Sequence, residues 1–394
     1  MRTHHAAPDG TFSGHDGLLW ISAGEPSGDM HGALLLKALR RQAPDMAITG
    51  MGGPAMAEAG CEIRHGIEQV SHVGLGGIVF GLPGILALLR RIRKDLKRLR
   101  PRAVVLIDCP EFNFRVAKIA HSLDIPAYYY ISPQIWAWRS GRVNFLKKHV
   151  RKMLCLLPFE EAFYEERGMK ADYVGHPLMD QLPLTDLDQL PVEMGTLGLL
   201  PGSRLREIRS LLPLFAEATR RIHARHPLQH VLLVRAPGVE ESLLRSLWPA
   251  DLPCEIIAPQ DRYQAMRRSR FLLAASGTVT LEAALIGTPA LLSYRLSRLE
   301  YRLSQWLVNV QYAGLPNLIL NREVYPELIQ DAATAGNIAS TALDIMAEGQ
   351  RRQTLVNDLQ RLRTMVGEPG APDRAATIIF NDLFPGVCKD TSHA

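Results

Sequence analysis

The chain has 394 residues, 47% of them apolar and 22% charged, with a net charge of +5 and a pI near 9.0. That length calls for two domains of roughly 150–200 residues each. Near-zero mean hydropathy, with no apolar run of about 18 residues, argues against a spanning helix. The five cysteines are scattered without a CxxC pair, which argues against a disulfide framework or thiolate zinc site and fits a reducing cytoplasm.

Residues 1–16 are polar and Gly/His-rich and lack the apolar core of a secretory signal, so they read as a disordered leader. From 17 to 182 the pattern is strand and helix in alternation. "LLWISA" is a buried strand stopped by Gly24, and "HGALLLKALRRQAP" is a helix. Further strands are expected in "MAITGMGGPAM", "AVVLIDCPEFN", "IPAYYYISP" and "KMLCLLP". Residues 180–195, "DQLPLTDLDQLPVEMG", read as a linker. The pattern restarts over 190–364, with strands in "GTLGLLPGS", "HVLLVRAP", "FLLAASG" and "PALLSYR". Residues 365–394 form a helix and tail that return to the N-terminal domain or pack on a partner subunit. Alternating strands and helices imply an α/β fold with parallel sheets, whose ligands bind beyond the carboxyl ends of the strands.

Five stretches carry chemistry. "LLPGSRLREI" presents Gly202, Ser203 and Arg204 at a helix start, where N–H groups and a guanidinium suit a diphosphate; an ordinary tight turn is the alternative. "AASGTVTLEAAL" repeats the device with Ser276, Gly277 and Thr278, and places Glu282 one turn into the helix, where a carboxylate can take a ribose diol. No GxxxxGK[ST] occurs. Asp108 ends an apolar strand, a position for a general base or for a turn cap. "YYYISPQIWAWRSGRV" reads as the aromatic wall of a sugar or lipid site, or as core. In "GLGGIVFGLPGILALLRRIRKDLKRLRPR" an apolar start precedes eight basic residues between Arg90 and Arg102. It reads as a membrane-surface helix, with Ile78, Val79, Phe80, Leu82, Ile85, Leu88 and Leu89 as lipid contacts, or as an amphipathic crossover helix. The basic charge is too local for nucleic acid, and neither an HExxH pattern nor an Asp-rich DxD pair at a strand end points to a metal.

The stretches "SAGEPSGDMHG", "IDCPEFN", "SPQIWAWR", "LPFEEAFYEERG", "VGHPLMD", "LLPGSRLREI", "ASGTVTLEAAL" and "LPNLIL" occur in the order seen in the lipid-A-disaccharide synthases, and over residues 18–330 the chain resembles that family. The resemblance implies a GT-B glycosyltransferase with two Rossmann-like domains facing across a cleft. It implies transfer from UDP-2,3-diacylglucosamine to 2,3-diacylglucosamine 1-phosphate (lipid X), with inversion, without metal or cofactor, at the cytoplasmic face of the inner membrane. Asp108 is then the base. Arg204, Gly277, Thr278 and Glu282 hold UDP, and Gln311 and Asn317 join them by resemblance only. Glu25, Ser27, Gly28, Asp29, Trp136 and Arg139 meet the acceptor. Pro26 and Glu111 stand where many members have Thr and Asp. The resemblance is compatible with a homodimer. The competing readings are another GT-B enzyme acting on UDP-sugars, such as a peptidoglycan N-acetylglucosaminyl transferase or an epimerase, and a non-enzymatic scaffold that uses the basic run.

Overall fold

The computed structural model describes residues 17–70, 82–138, 140–296 and 311–385. The chain divides into two units, one formed by Met1–Pro177 with Pro369–Ala394 and the other by Leu178–Glu368.

The first unit is built on β1 (Leu19–Ala23), β2 (Ile48–Gly52), β3 (Glu62–Gly66), β4 (Ala103–Ile107), β5 (Ala127–Tyr130), β6 (Lys152–Cys155) and β7 (Ala171–Tyr173). They form one parallel sheet in the order β3-β2-β1-β4-β5-β6-β7. Side chains alternate between its faces. Ile21, Val105, Tyr128 and Tyr130 pack with the helices Pro26–Gln42 and Ala371–Leu383. Trp20, Val104, Leu106 and Tyr129 pack on the other face with Leu82–Leu99 and Pro110–His121. The three consecutive tyrosines are therefore strand core rather than a site wall, and all are fully buried.

The lipid contacts expected before Arg90 need correction. Leu88 and Leu89 are buried with Ile92 and Leu96 against the sheet, because the 3–4 spacing turns them inward. Ile85 is partly buried against the same cluster. Ile78, Val79, Phe80 and the Leu82 side chain lie outside the described residues. Arg90, Arg91, Arg93, Lys94, Lys97 and Arg98 are exposed, as is Leu86.

The helix Ala371–Leu383 belongs to this unit although it follows the second unit in the chain. Asp373 pairs with Arg41, Asp382 takes the Tyr128 hydroxyl and Arg151, and Arg374 Nε donates to the Val174 carbonyl at 2.8 Å.

The second unit carries β8 (Glu193–Leu200), β9 (His230–Val234), β10 (Glu255–Ile257), β11 (Ser269–Ala275), β12 (Ala290–Tyr294) and β13 (Glu327–Ile329), all parallel in the order β10-β9-β8-β11-β12-β13. The stretch expected as a linker is folded into it. Leu182, Leu184 and Leu187 are buried, Arg267 donates to the Leu187 carbonyl at 3.0 Å, and β8 begins at Glu193.

In both sheets the strand order reverses between the first and fourth strands, β1 and β4 in one and β8 and β11 in the other. Crossovers leave these neighbours in opposite directions, so a crevice opens at their carboxyl ends. The loops there hold Glu25 and Asp108 in the first unit, and Gly202 and Gly277 in the second.

Candidate active site

In the first unit the β1 and β4 loops touch. A Cβ on Gly24 would lie 2.6 Å from Cys109 Sγ, so only glycine lets the loops approach this closely. Asp108 and Cys109 both have φ of 46°, in the left-handed region that non-glycine residues rarely adopt. The turn is held from inside. The Asp108 carbonyl accepts from Asn113 Nδ2 and from the Tyr129 hydroxyl, both at 2.8 Å. Asn113 is fully buried, and it also donates to the Ile107 carbonyl and accepts from Ser22 Oγ. This elbow leaves Asp108 half-buried at the end of the sheet. Burial, and then the negative charge of Glu25, raise its carboxyl above the ordinary range; a hydrogen bond from the Cys109 backbone works the other way.

Glu25 and Ser27 are exposed at the start of the Pro26–Gln42 helix, and Gly28 is buried beneath them. Asp29 departs from its expected role as an acceptor contact. It is buried, and its two oxygens take the backbone N–H groups of Gly53, Ala55 and Met56 at 2.7–3.1 Å. It anchors the start of the Pro54–Glu58 helix. Trp136 is half-buried beyond β5 and donates to Glu160 Oε1 at 3.0 Å. Arg139 lies outside the described residues.

In the second unit Gly202, Ser203, Ser276, Gly277, Thr278 and Glu282 line one cleft of about 310 Å³. Gly202, at φ of 103°, turns the chain from β8 into the Leu205–His223 helix. Gly277 does the same from β11 into Thr278–Ile286. Arg204 does not line the cleft. It is exposed beside it and pairs with Glu207 at 3.0 Å. The cations that do line the cleft are Arg235 and Arg262, which the sequence patterns did not single out. Arg235 follows β9 directly, and its Nε is buried without a partner. The Arg262 guanidinium lies 3.9 Å from the Tyr263 ring centre. The Glu282 carboxyl is raised by burial, against the pull of Arg262 and a 3.4 Å hydrogen bond from Tyr263.

Asn317 also departs from its expected role as a UDP contact. It is fully buried and saturated, donating to the Tyr325 carbonyl and Glu327 and accepting from the Val324 and Tyr325 amides at 2.7–2.8 Å. Glu327 in turn accepts from the Ala313 and Gly314 amides at 2.8 and 2.9 Å. The pair pins the segment that begins at exposed Gln311. The Ala313 carbonyl lies 3.5 Å from Ser276 Oγ, which brings that segment to the cleft's edge.

Two Rossmann-like units, one with a lone perturbed carboxylate at its switch point and the other with an anion-suited cleft, define the GT-B class. The fold is similar to that of MurG from Acinetobacter baumannii (TM-score 0.57, 13% identity, 92% of this chain and 98% of that one). It is also similar to a putative UDP-N-acetylglucosamine 2-epimerase from Listeria monocytogenes (TM-score 0.63, 12% identity, 96% and 98%). At the level of sequence, the profile of the lipid-A-disaccharide synthetase family matches residues 19–379, and the chain belongs to that family. The lipid-A-disaccharide synthase of Myxococcus xanthus is 37% identical over 373 residues, 93% of this chain and 97% of its own length. That of Nitrosococcus oceani is 39% identical over 358 residues, 89% and 92%. The chain is thus a glycosyltransferase of lipid A biosynthesis.

Proposed function

We propose that the chain transfers the sugar of UDP-2,3-diacylglucosamine to the 6-hydroxyl of 2,3-diacylglucosamine 1-phosphate with inversion, giving the β-1,6 disaccharide 1-phosphate and UDP. The observation that carries this reading is Asp108, a carboxyl raised by burial and held on a rigid left-handed elbow at a sheet switch point. Such a group can take the hydroxyl proton as the oxygen attacks the anomeric carbon. The bond from that carbon to the phosphate oxygen breaks, and negative charge grows on the diphosphate. The amides at Gly277 and Thr278, with Arg235 and Arg262, suit that charge, and Arg204 adds to the field from the rim. Glu282 is suited to the ribose hydroxyls. Glu25, Ser27 and Trp136 are the acceptor contacts retained, and Asp29 and Asn317 serve the loops instead.

No helix among the described residues is long and apolar enough to cross a membrane. The exposed basic side of Leu82–Leu99 suits peripheral contact with anionic lipid, here proposed as the cytoplasmic face of the inner membrane.

The test is a radiolabel assay with both substrates and EDTA. Disaccharide and UDP formed in equal amounts support the reading. UDP binding without product from this acceptor overturns the proposed reaction, and product that is lost on adding EDTA overturns its independence of metal.

A further inference from the structure

We propose that Glu160 is a positioning residue for the acceptor side of the reaction, holding the Trp136 indole at the carboxyl end of the first sheet, next to the strand that presents Asp108. The proposal rests on the reading of the first unit as the acceptor site.

Glu160 lies in the first turn of the helix Pro158–Glu165, beyond β6, and is 2% exposed. Its Oε2 takes the backbone N–H groups of Leu156 and Leu157 at 3.1 and 3.0 Å. That much is the returning half of a capping box. Capping does not account for the other oxygen. Oε1 takes the Trp136 Nε1–H at 3.0 Å, and the nearby Ser132 hydroxyl favours the ionised form. Ser132 is itself 2.9 Å from the Tyr164 hydroxyl. Trp136 meets Phe159 edge-on, with ring centres 5.0 Å apart, so the indole is fixed at its nitrogen and at its side. The carboxylate therefore ties the loop after β5 to the loop after β6. Across the sheet β5 lies against β4, and its Tyr130 carbonyl accepts from the Asp108 amide at 3.3 Å.

The three N–H groups that meet Glu160, those of Leu156, Leu157 and the Trp136 indole, are all neutral donors. An ionised carboxylate accepts from the two amides and the indole at once, and protonation weakens it as their acceptor. Burial opposes the charge and raises the carboxyl to about 7, while the donors from Leu157, Trp136, Ser132 and Leu156 pull it down. The titratable groups around it are Cys155 on β6, Tyr164 on its own helix and Tyr173 on β7. Burial pushes all three up, Tyr173 to about 12, so they stay neutral near pH 7. The hold of Glu160 on Trp136 thus loosens as the pH falls and the carboxylate is protonated.

The test uses the full chain and three variants, Glu160→Gln, Trp136→Phe and Asp108→Asn. Glutamine keeps the shape but directs an N–H₂ at a donor. Glu160→Gln is expected to raise KM for 2,3-diacylglucosamine 1-phosphate about tenfold, with the donor KM unchanged. The fluorescence difference between wild type and Trp136→Phe, followed from about pH 5.5 to about 8.5, is expected to show a transition near pH 7 that Glu160→Gln abolishes. An unchanged acceptor KM in Glu160→Gln, or a flat difference curve, overturns the proposal. If Glu160→Gln does not fold, Trp136→Phe decides: a similar rise in acceptor KM supports the proposal, and no rise overturns it. Asp108→Asn tests the base separately. Turnover retained there removes Asp108 as base, while the acceptor KM of Glu160→Gln still decides the role of Glu160.

Discussion

The Asn113 side-chain amide donates to the Asp108 carbonyl at 2.8 Å, and so holds in place a residue whose backbone is in the left-handed region. The same amide reaches the Ile107 carbonyl at 3.0 Å, while Asn113 Oδ1 takes the Ser22 hydroxyl at 2.8 Å. One fully buried side chain thereby joins the ends of β1 and β4. Asn113→Ala leaves the Ser22 hydroxyl without this acceptor and removes an amide from three carbonyls, those of Ser22, Ile107 and Asp108. It is expected to destabilise the fold by at least about 2 kcal/mol. A urea melt with no shift in midpoint would show the elbow to be self-supporting.

Asp108→Asn keeps size and backbone while removing the base. Turnover is expected to fall by at least about 100-fold with the thermal melt unchanged. Retention of more than about a tenth of the rate would exclude Asp108 as the base.

The pH profile tests the cause of the perturbation. The base works only when ionised, so kcat at saturating acceptor falls with acid below the Asp108 pKa, and a raised pKa carries that limb to higher pH than an ordinary aspartate gives. Glu25 contributes to the rise through its negative charge. Glu25→Gln removes that charge and is expected to move the limb to lower pH. A limb that stays put or moves up contradicts the proposed coupling.

Calorimetry with UDP separates the arginines. Arg235→Ala and Arg262→Ala, both within the cleft, are each expected to weaken binding about tenfold. Arg204→Ala is expected to change it only about two- to threefold, since that side chain is 78% exposed and already paired with Glu207. An equal or larger loss for Arg204 would mean that its guanidinium swings onto the diphosphate when UDP binds.

Vesicle sedimentation tests the basic face. Reversing Arg90, Arg93 and Lys97 to Glu is expected to release the protein from anionic vesicles, at about 1 kcal/mol of binding per charge removed. Leu88→Glu is expected instead to unfold the first unit, because Leu88 is only 1% exposed. A folded Leu88→Glu protein that leaves the membrane would return Leu88 to the lipid face.

The strands that can be read directly from the chain are those inside the two sheets. β1, β4 and, from Phe271 on, β11 are largely apolar runs because neighbours and helices cover them on every side, and every residue in them is buried. The strands absent from that reading, β3, β7, β10 and β13, are the four sheet edges. Their residues are mostly exposed or half-buried, as in "EIRHG" and "EII". An edge strand has one open side and needs no continuous apolar run, so composition does not separate it from a loop.

The polar residues of the loops divide along a similar line. Asp108, Gly202, Ser276, Gly277 and Glu282 stand out in the chain because each follows an apolar strand at a turn into a helix, and local chain geometry is enough to bring such residues to the end of a sheet. The roles of Asp29, Asn317 and Glu160 depend on which distant N–H groups the fold brings to them: Gly53 for Asp29, Val324 for Asn317, Trp136 for Glu160. A carboxylate or amide looks the same in the chain whether it awaits a ligand or caps a loop 24 residues away. The number of donors around it separates the two, and packing sets that number.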